Sequence, residues 1–554
     1  HSPPDSVIFN VPGSGKSNIR KTFMTLRFKA FAILMAFTMS LSISMNVRAQ
    51  SLSSNTGARI DCENGVAAGF PCLNVDLLSH LTLLDLTTQA GTDPFGNPIF
   101  LVDFELNDMW GWYDEETDRE FLIVGREDAA AFVEVTDPEN PVYLGHLPHS
   151  GTRASIWRDI KVYQNYAYIV ADGAGSHGVQ VFDLTQLRSV GPDAIEFSMT
   201  FKYTGVNSVH NIVINEDTGF AYAVGSRSGG ETCGGGLHMM DLSDPALPVF
   251  AGCYAQAAGG TNTGYTHDAQ CVVYHGPDLD WLGKEICVAS NEKGVVFADV
   301  TEKSLPVTVS IGTYPLTEYT HQGWLSEDHR FYFQGDELDE LRGAVSSTRT
   351  LVWDIQDLDD PILAAEHFAD RQTIDHNMYV VGNLLFQSQY KDGLRIMDIS
   401  DPENMVEVAF FDTHPQDQSV WAGSWSNYPF LKNGVVAVNS STDGLFLLQP
   451  SSEIITKTET PVEVPSVVSL VSFYPNPFQN FGTLELELKR SESVRIDLLD
   501  VLGRRIEQIY HGRITGGSVV SVPVRISSVP SGLYVLRISG ESFEITKTVL
   551  HTNQ

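Results

Sequence analysis

Basic residues are scarce in this chain: 35 Lys and Arg stand against 69 Asp and Glu over 554 residues, a formal net charge of −34. That balance excludes nucleic acid and an anionic membrane surface as natural partners, and suits an acidic exported protein kept soluble by its surface. Cysteine is also sparse. There are six, and none forms a CxxC pair, which argues against a structural zinc site. Helical periodicity is nearly absent, so a helical bundle or solenoid is excluded. One long apolar run occurs, at 30–47.

That run has the flanks of an export signal. Met24 opens a start, Arg27 and Lys29 give a basic head, and Val47-Arg48-Ala49 offers a small-residue cleavage site before Gln50. No cysteine lies at that site, so lipid attachment is not expected, and the mature chain should hold no transmembrane segment. Upstream, "NVPGSGKS" imitates a phosphate loop, but Asn10 stands where the pattern needs glycine. The exported setting makes disulfides the expected fate of the cysteines. Pairing neighbours joins Cys62 to Cys72, Cys233 to Cys253 and Cys271 to Cys287. Fifteen pairings of six cysteines remain open at this level.

Self-similarity is the strongest signal. "GLHMMDLSDPALPVFAGCY" at 236–254 returns as "GLRIMDISDPENMVEVAFF" at 393–411. Weaker copies place Glu134, Asp183, Asp241, Asp299, Asp354, Asp398 and Gln449 in one register, at successive intervals of 49, 58, 58, 55, 44 and 51 residues. Each unit reads as four short β-rich segments separated by Gly, Asn, Asp and Pro. The expected fold is all-β: a seven-bladed β-propeller over 103–450, preceded by a lead-in at 50–102. The Asp-Pro turns read as structural, with Asp accepting backbone N–H bonds and Pro fixing φ.

The phrases "LRIMDISDP", "HMMDLSDP", "THDAQ", "THQGWL" and "DELDE" resemble the LVIVD-repeat proteins of the choice-of-anchor B family, over about Asp103 to Pro450. That resemblance supports the propeller and implies no particular chemistry. After a polar linker at 451–466, residues 467–554 alternate as a small β-sandwich. "YPNPF", "DLLDVLGRRI", "SGLYVLRI" and "TKTVL" resemble the type A sorting domain of the type IX secretion system. The resemblance implies a Bacteroidota-type source, export across the outer membrane, and the secretion machinery as a partner.

Chemistry concentrates at the heads of the first strands: Trp157-Arg158-Asp159, His210-Asn211, His267-Asp268, His321-Gln322, His376-Asn377 and Ser424-Trp425, with Trp110-Gly111-Trp112 expected as the earliest copy. In a propeller these positions converge on one rim of the channel. Asp159, His210, His267, Asp268, His321, Gln322, Asp375 and His376 are therefore the ligand candidates. The imidazoles of His210, His267, His321 and His376 suit a divalent transition metal. The competing reading makes each histidine a latch, tying its strand to the preceding blade. Asp336, Glu337, Asp339 and Glu340 form either a solvated turn or a calcium site, without EF-hand spacing. Trp110, Trp112, Trp281 and Trp421 are candidates to stack on sugars. No serine-hydrolase elbow is present. The functional expectation is a secreted or cell-surface binding module with an unidentified extracellular ligand. The alternative is a metal-dependent hydrolase or lyase using the same rim, so whether the chain is an enzyme stays open.

Overall fold

The computed structural model describes residues 53–551, apart from 90, 93–97, 101, 192, 260–263, 417–419, 456–467, 475–477, 479–480, 501–503, 518, 526–531 and 541–543. The expected export signal, the phosphate-loop imitation and most of the linker lie outside the described residues.

Among the described residues between Val66 and Pro450 the main chain forms seven sheets of four to six strands and two isolated strand pairs, antiparallel but for one short edge pair. Their innermost strands are Leu106–Asp114, Arg158–Tyr163, Asn211–Asn215, Asp268–Val273, Thr320–Leu325, Met378–Val381 and Ser424–Tyr428. Each packs beside the next, and the last returns to the first, so the sheets close a ring. The arrangement is a β-propeller. The register read from the repeats ends the third strand of the first six sheets, at Glu134, Asp183, Asp241, Asp299, Asp354 and Asp398. Asp241, Asp299 and Asp398 each accept the backbone N–H two residues on, at 2.7–3.0 Å, which stops the strand and starts the turn.

The strands are apolar on both faces because each sheet is sandwiched between two others. In Phe220–Val224, Ala221 and Ala223 pack towards the preceding sheet with Tyr168 and Val181, while Tyr222 and Val224 join Cys287 and Val296 of the following one. The period-2 alternation thus divides one strand between two cores. Near the contact of the sixth and seventh sheets, Phe70, Phe411 and Phe446 meet at 5.1–6.1 Å between ring centroids.

The stretch expected as a separate lead-in belongs to this ring. Val75–Leu81 pairs with Gly444–Pro450 and completes the seventh sheet, while Phe70–Leu73 pairs with Val406–Phe411 on the sixth. An early strand thus hydrogen-bonds to the last strand of the ring. The disulfides are Cys62–Cys72, Cys233–Cys253 and Cys271–Cys287, as neighbour pairing expects. Cys271 and Cys287 stand opposite each other on paired strands.

The C-terminal residues form a three-stranded and a four-stranded sheet. Their shared core runs from Phe473 through Leu484, Ile496 and Val522 to Val549 and takes no residue from the propeller. Deleting 456–554 should therefore leave the melting temperature of the propeller unchanged. Deleting 53–82 removes the closing strand and should abolish a cooperative melt. Calorimetry of the two truncations checks both; equal behaviour would contradict the closure.

Candidate functional site

Seven residue pairs head the inner strands: Asn107-Asp108, Arg158-Asp159, His210-Asn211, His267-Asp268, His321-Gln322, His376-Asn377 and Trp425-Ser426. The first replaces the expected Trp110-Gly111-Trp112. Asp108, Asp159 and Asp268 each accept the N–H of the next residue at 2.7 Å, which identifies them as equivalent positions. Trp110 lies deeper along its strand.

The four histidines converge. Ring centroids are 4.3 Å apart for His210 and His267, 4.2 Å for His267 and His321, and 4.3 Å for His321 and His376. His376 continues the chain to Trp425 at 4.7 Å. Their Nδ1 atoms explain the order. His267 donates to the carbonyl of His321 at 2.9 Å, and His376 to that of Trp425 at 2.6 Å. Asn211 reaches the carbonyl of His267 at 3.2 Å. These are latches, but they run to the following sheet rather than the preceding one. A carbonyl only accepts, so Nδ1 carries the proton and a neutral ring keeps its lone pair on Nε2. Burial holds the pKa of His267 and His321 well below the ordinary value and that of His376 at about 3. His210 differs, its Nδ1 facing Asp172 at 3.3 Å. His321 differs again: its Nδ1 is buried without a hydrogen-bond partner.

A carboxylate closes on two of these rings. Glu337 stands 3.8 Å from Nε2 of His321 and 3.7 Å from Nε2 of His376, and accepts the Tyr390 hydroxyl at 3.0 Å. Burial pushes its pKa up to about 7. Glu337 neighbours Asp336, Asp339 and Glu340 in sequence, but the structure separates them. Asp336 is fully buried and accepts Tyr314 and the N–H groups of Glu318 and Tyr319 at 2.6–2.8 Å. Asp339 pairs with Arg349 at 2.8 Å. No three of the four acids bring carboxylate oxygens within 4.8 Å of one another among the described residues. They are neither a solvated turn nor a convergent calcium cage. Asp375, also buried, turns towards this acid group with both oxygens lacking a hydrogen-bond partner. Burial and the neighbouring Asp339 and Asp336 carboxylates raise its pKa far above the usual range.

Below the imidazoles lies a polar layer. Gln322 bonds both backbone groups of Met378, at 2.9 and 3.0 Å, so this candidate is spent on holding two sheets together. Asp159 accepts Ile212 N at 2.7 Å and Lys161 Nζ at 2.6 Å. Lys161 faces three carboxylates, those of Asp108, Asp159 and Asp268; burial disfavours its charge, but they outweigh it and raise its pKa. With one ammonium among three acids, not all can ionise cheaply. Burial, then Asp159, pushes Asp108 up to about 7, and Asp268 is raised for the same reasons. The ammonium of Lys161 also lies 4.6 Å from the Trp110 ring, in an aromatic layer where Tyr379 lies 5.0 Å from Trp324 and 5.8 Å from Trp110. The repeat alignment held this signal: Lys161 is the one cation three residues after the rim position, where other copies carry Trp110, Val213, Gln270, Trp324 and Tyr379.

At the histidine end the rings leave little room. The cavity among Asp108, Arg158, His210, His267 and His376 measures about 10 Å³, water-sized at most. A cavity of about 740 Å³ opens at the other end, walled by Trp110, Trp112, Asp114, Arg188 and Glu216. Of the proposed stacking residues, Trp112 is core and Trp281 donates to Asp359 at 3.0 Å, while Trp421 is 43% exposed. Trp157, over the histidine end, is 49% exposed.

Residues 472–551 match the family model described as a secretion system C-terminal sorting domain, and 156–176 and 376–413 match the LVIVD repeat. The chain carries LVIVD repeats ahead of a secretion sorting domain. That domain implies export across the outer membrane by the type IX route. No curated protein matches the chain. Among solved structures, a protein from Lactobacillus plantarum shares 11% identity over 76% of this chain and 100% of its own, with a TM-score of 0.39. The C-terminal WD40 domain of Sif2 shares 7% over 71% and 95%, with a TM-score of 0.38. A functionally unknown protein from Desulfotomaculum acetoxidans shares 11% over 62% and 99%, with a TM-score of 0.40. No helix among the described residues is long and apolar enough to cross a membrane.

The buried acids give a pH signature. An acid whose folded pKa is raised stabilises the fold fully below its unfolded pKa and loses that contribution as pH rises through the folded value. Asp108→Asn should therefore match the parent near pH 4 and exceed it by on the order of 2–4 kcal/mol above pH 7. Denaturant titrations across that range check the sign; a constant difference would contradict it.

Proposed function

We propose that this chain is an exported, surface-exposed binding module that receives its ligand across the histidine end of the propeller. The observation that carries the reading is the filled mouth. Four imidazoles and Trp425 form a continuous belt of rings at 4.2–4.7 Å, and the exposed indoles of Trp157 and Trp421 stand beside it. A belt this tight admits no organic molecule into the channel, so a ligand lies over it. Exposed indoles suit a flat apolar face, such as that of a saccharide ring. The acidic surface and the sorting domain fit work outside the cell.

A metal-dependent hydrolase is the second reading, favoured by Glu337 between two rim histidines. It needs substrate access to that carboxylate, which is 13% exposed. Binding alone needs only the surface that is already present.

The test is a thermal-shift screen of the full chain against oligosaccharides. A rise in melting temperature lost on combined Trp157→Ala and Trp421→Ala, and kept by Tyr113→Ala at the opposite cavity, is the expected result. A rise lost only with Tyr113→Ala would move the ligand to the far end and overturn the assignment. Absence of any shift across the screen would also count against it.

A further inference from the structure

Three residues beneath the mouth point polar atoms at one another across gaps that no hydrogen bond spans. His376 donates through Nδ1 to the Trp425 carbonyl at 2.6 Å, so in its neutral form Nε2 presents a lone pair. That atom looks at a Glu337 oxygen 3.7 Å away, and Nε2 of His321 looks at the other oxygen from 3.8 Å. Both separations exceed hydrogen-bond length. One ligand atom from each of the three residues fits within 4.8 Å. The His376 lone pair and the Glu337 carboxylate, aimed into one buried point, repel unless a proton or a metal cation lies between them, and His321, its Nδ1 held by no partner, is free to turn a lone pair there too. No lysine or arginine side chain pairs with Glu337 among the described residues.

We infer that His321, His376 and Glu337 bind a divalent transition metal, with zinc as the best match to two imidazoles and one carboxylate. The inference deepens the reading of the mouth as a binding site and names one thing held there. Tetrahedral ligands about 2.1 Å from zinc lie roughly 3.4 Å from one another, and the three ligand atoms, within 4.8 Å of one another, draw together around the ion by side-chain rotation. The supports typical of a metal centre are in place. The Trp425 carbonyl orients one imidazole, and the Tyr390 hydroxyl orients the carboxylate at 3.0 Å. His267 packs against His321 at 4.2 Å, with its own Nδ1 committed, and walls the site. The fourth position is left to water or to a group on a ligand lying over the mouth.

The other clusters of metal-binding residue types do not compete. Cys233 and Cys253, near Glu231, are joined in a disulfide. Asp278 accepts the N–H groups of Asp280 and Leu358, Asp357 that of Asp359, and Asp359 that of the Trp281 indole.

The test uses the full chain, stripped by a chelator and titrated with Co²⁺ and then Zn²⁺. One equivalent of Co²⁺ should produce visible d–d absorption that Zn²⁺ displaces. Glu337→Gln and His376→Ala should abolish it, while His210→Ala, at a ring committed to Asp172, should keep it. Tyr390→Phe should weaken Zn²⁺ binding by roughly 10–100-fold, the usual effect of an outer partner. Circular dichroism of each variant separates lost binding from lost folding. A parent chain that gives no absorption, or a folded Glu337→Gln variant that gives the same spectrum, overturns the inference. Saccharide binding that persists in the metal-free chain would leave the mouth reading standing while the metal failed.

Discussion

The hydrogen bond from an imidazole Nδ1–H to the carbonyl at the head of the next sheet governs this molecule's centre. It ties neighbouring sheets at the channel, where the inner strands of different sheets have no ladder bonds between them. It also fixes the tautomer, so the atom left over is a basic nitrogen. In His376 latch and ligand are therefore two ends of one ring, so the structural and functional readings of that histidine are compatible. Ring closure by Val75–Leu81 makes this arrangement available, because heads of separate sheets converge only in a closed circle.

Charge is managed differently inside and out. The surface carries a large acidic excess, while the channel buries carboxylates around the single ammonium of Lys161. Imidazoles kept neutral by burial add no positive charge to offset them. Protons, and in our reading a metal at Glu337, supply the missing compensation. Such uncompensated acids cost stability at neutral pH and are kept where a site needs them.

Repetition made the fold legible. The recurring Asp fell at the third-strand ends because an Asx turn is a local device that sequence spacing records directly. The histidine rim was legible for the same reason. The first copy was misplaced because Asn107-Asp108 lacks the imidazole that marks the others, while Trp110 and Trp112 drew attention to the wrong register. The strands at 66–81 carry no repeat phrase, so their pairing with both late sheets could not be read. Glu337 was hidden for a physical reason. It sits among four acids in five residues, and the backbone turn, not the residue types, sends it to the histidines and its neighbours to Arg349. Gln322 is a ligand candidate by position, yet its amide is spent on the Met378 backbone of the next sheet.

The most direct measurement is nitrogen NMR of the chain labelled at histidine, read between about pH 5 and 8. The account predicts that His267 and His376 stay neutral throughout, with the proton on Nδ1 and none on Nε2. Rings that titrate near the ordinary value of about 6.5, or that carry the proton on Nε2, would contradict it.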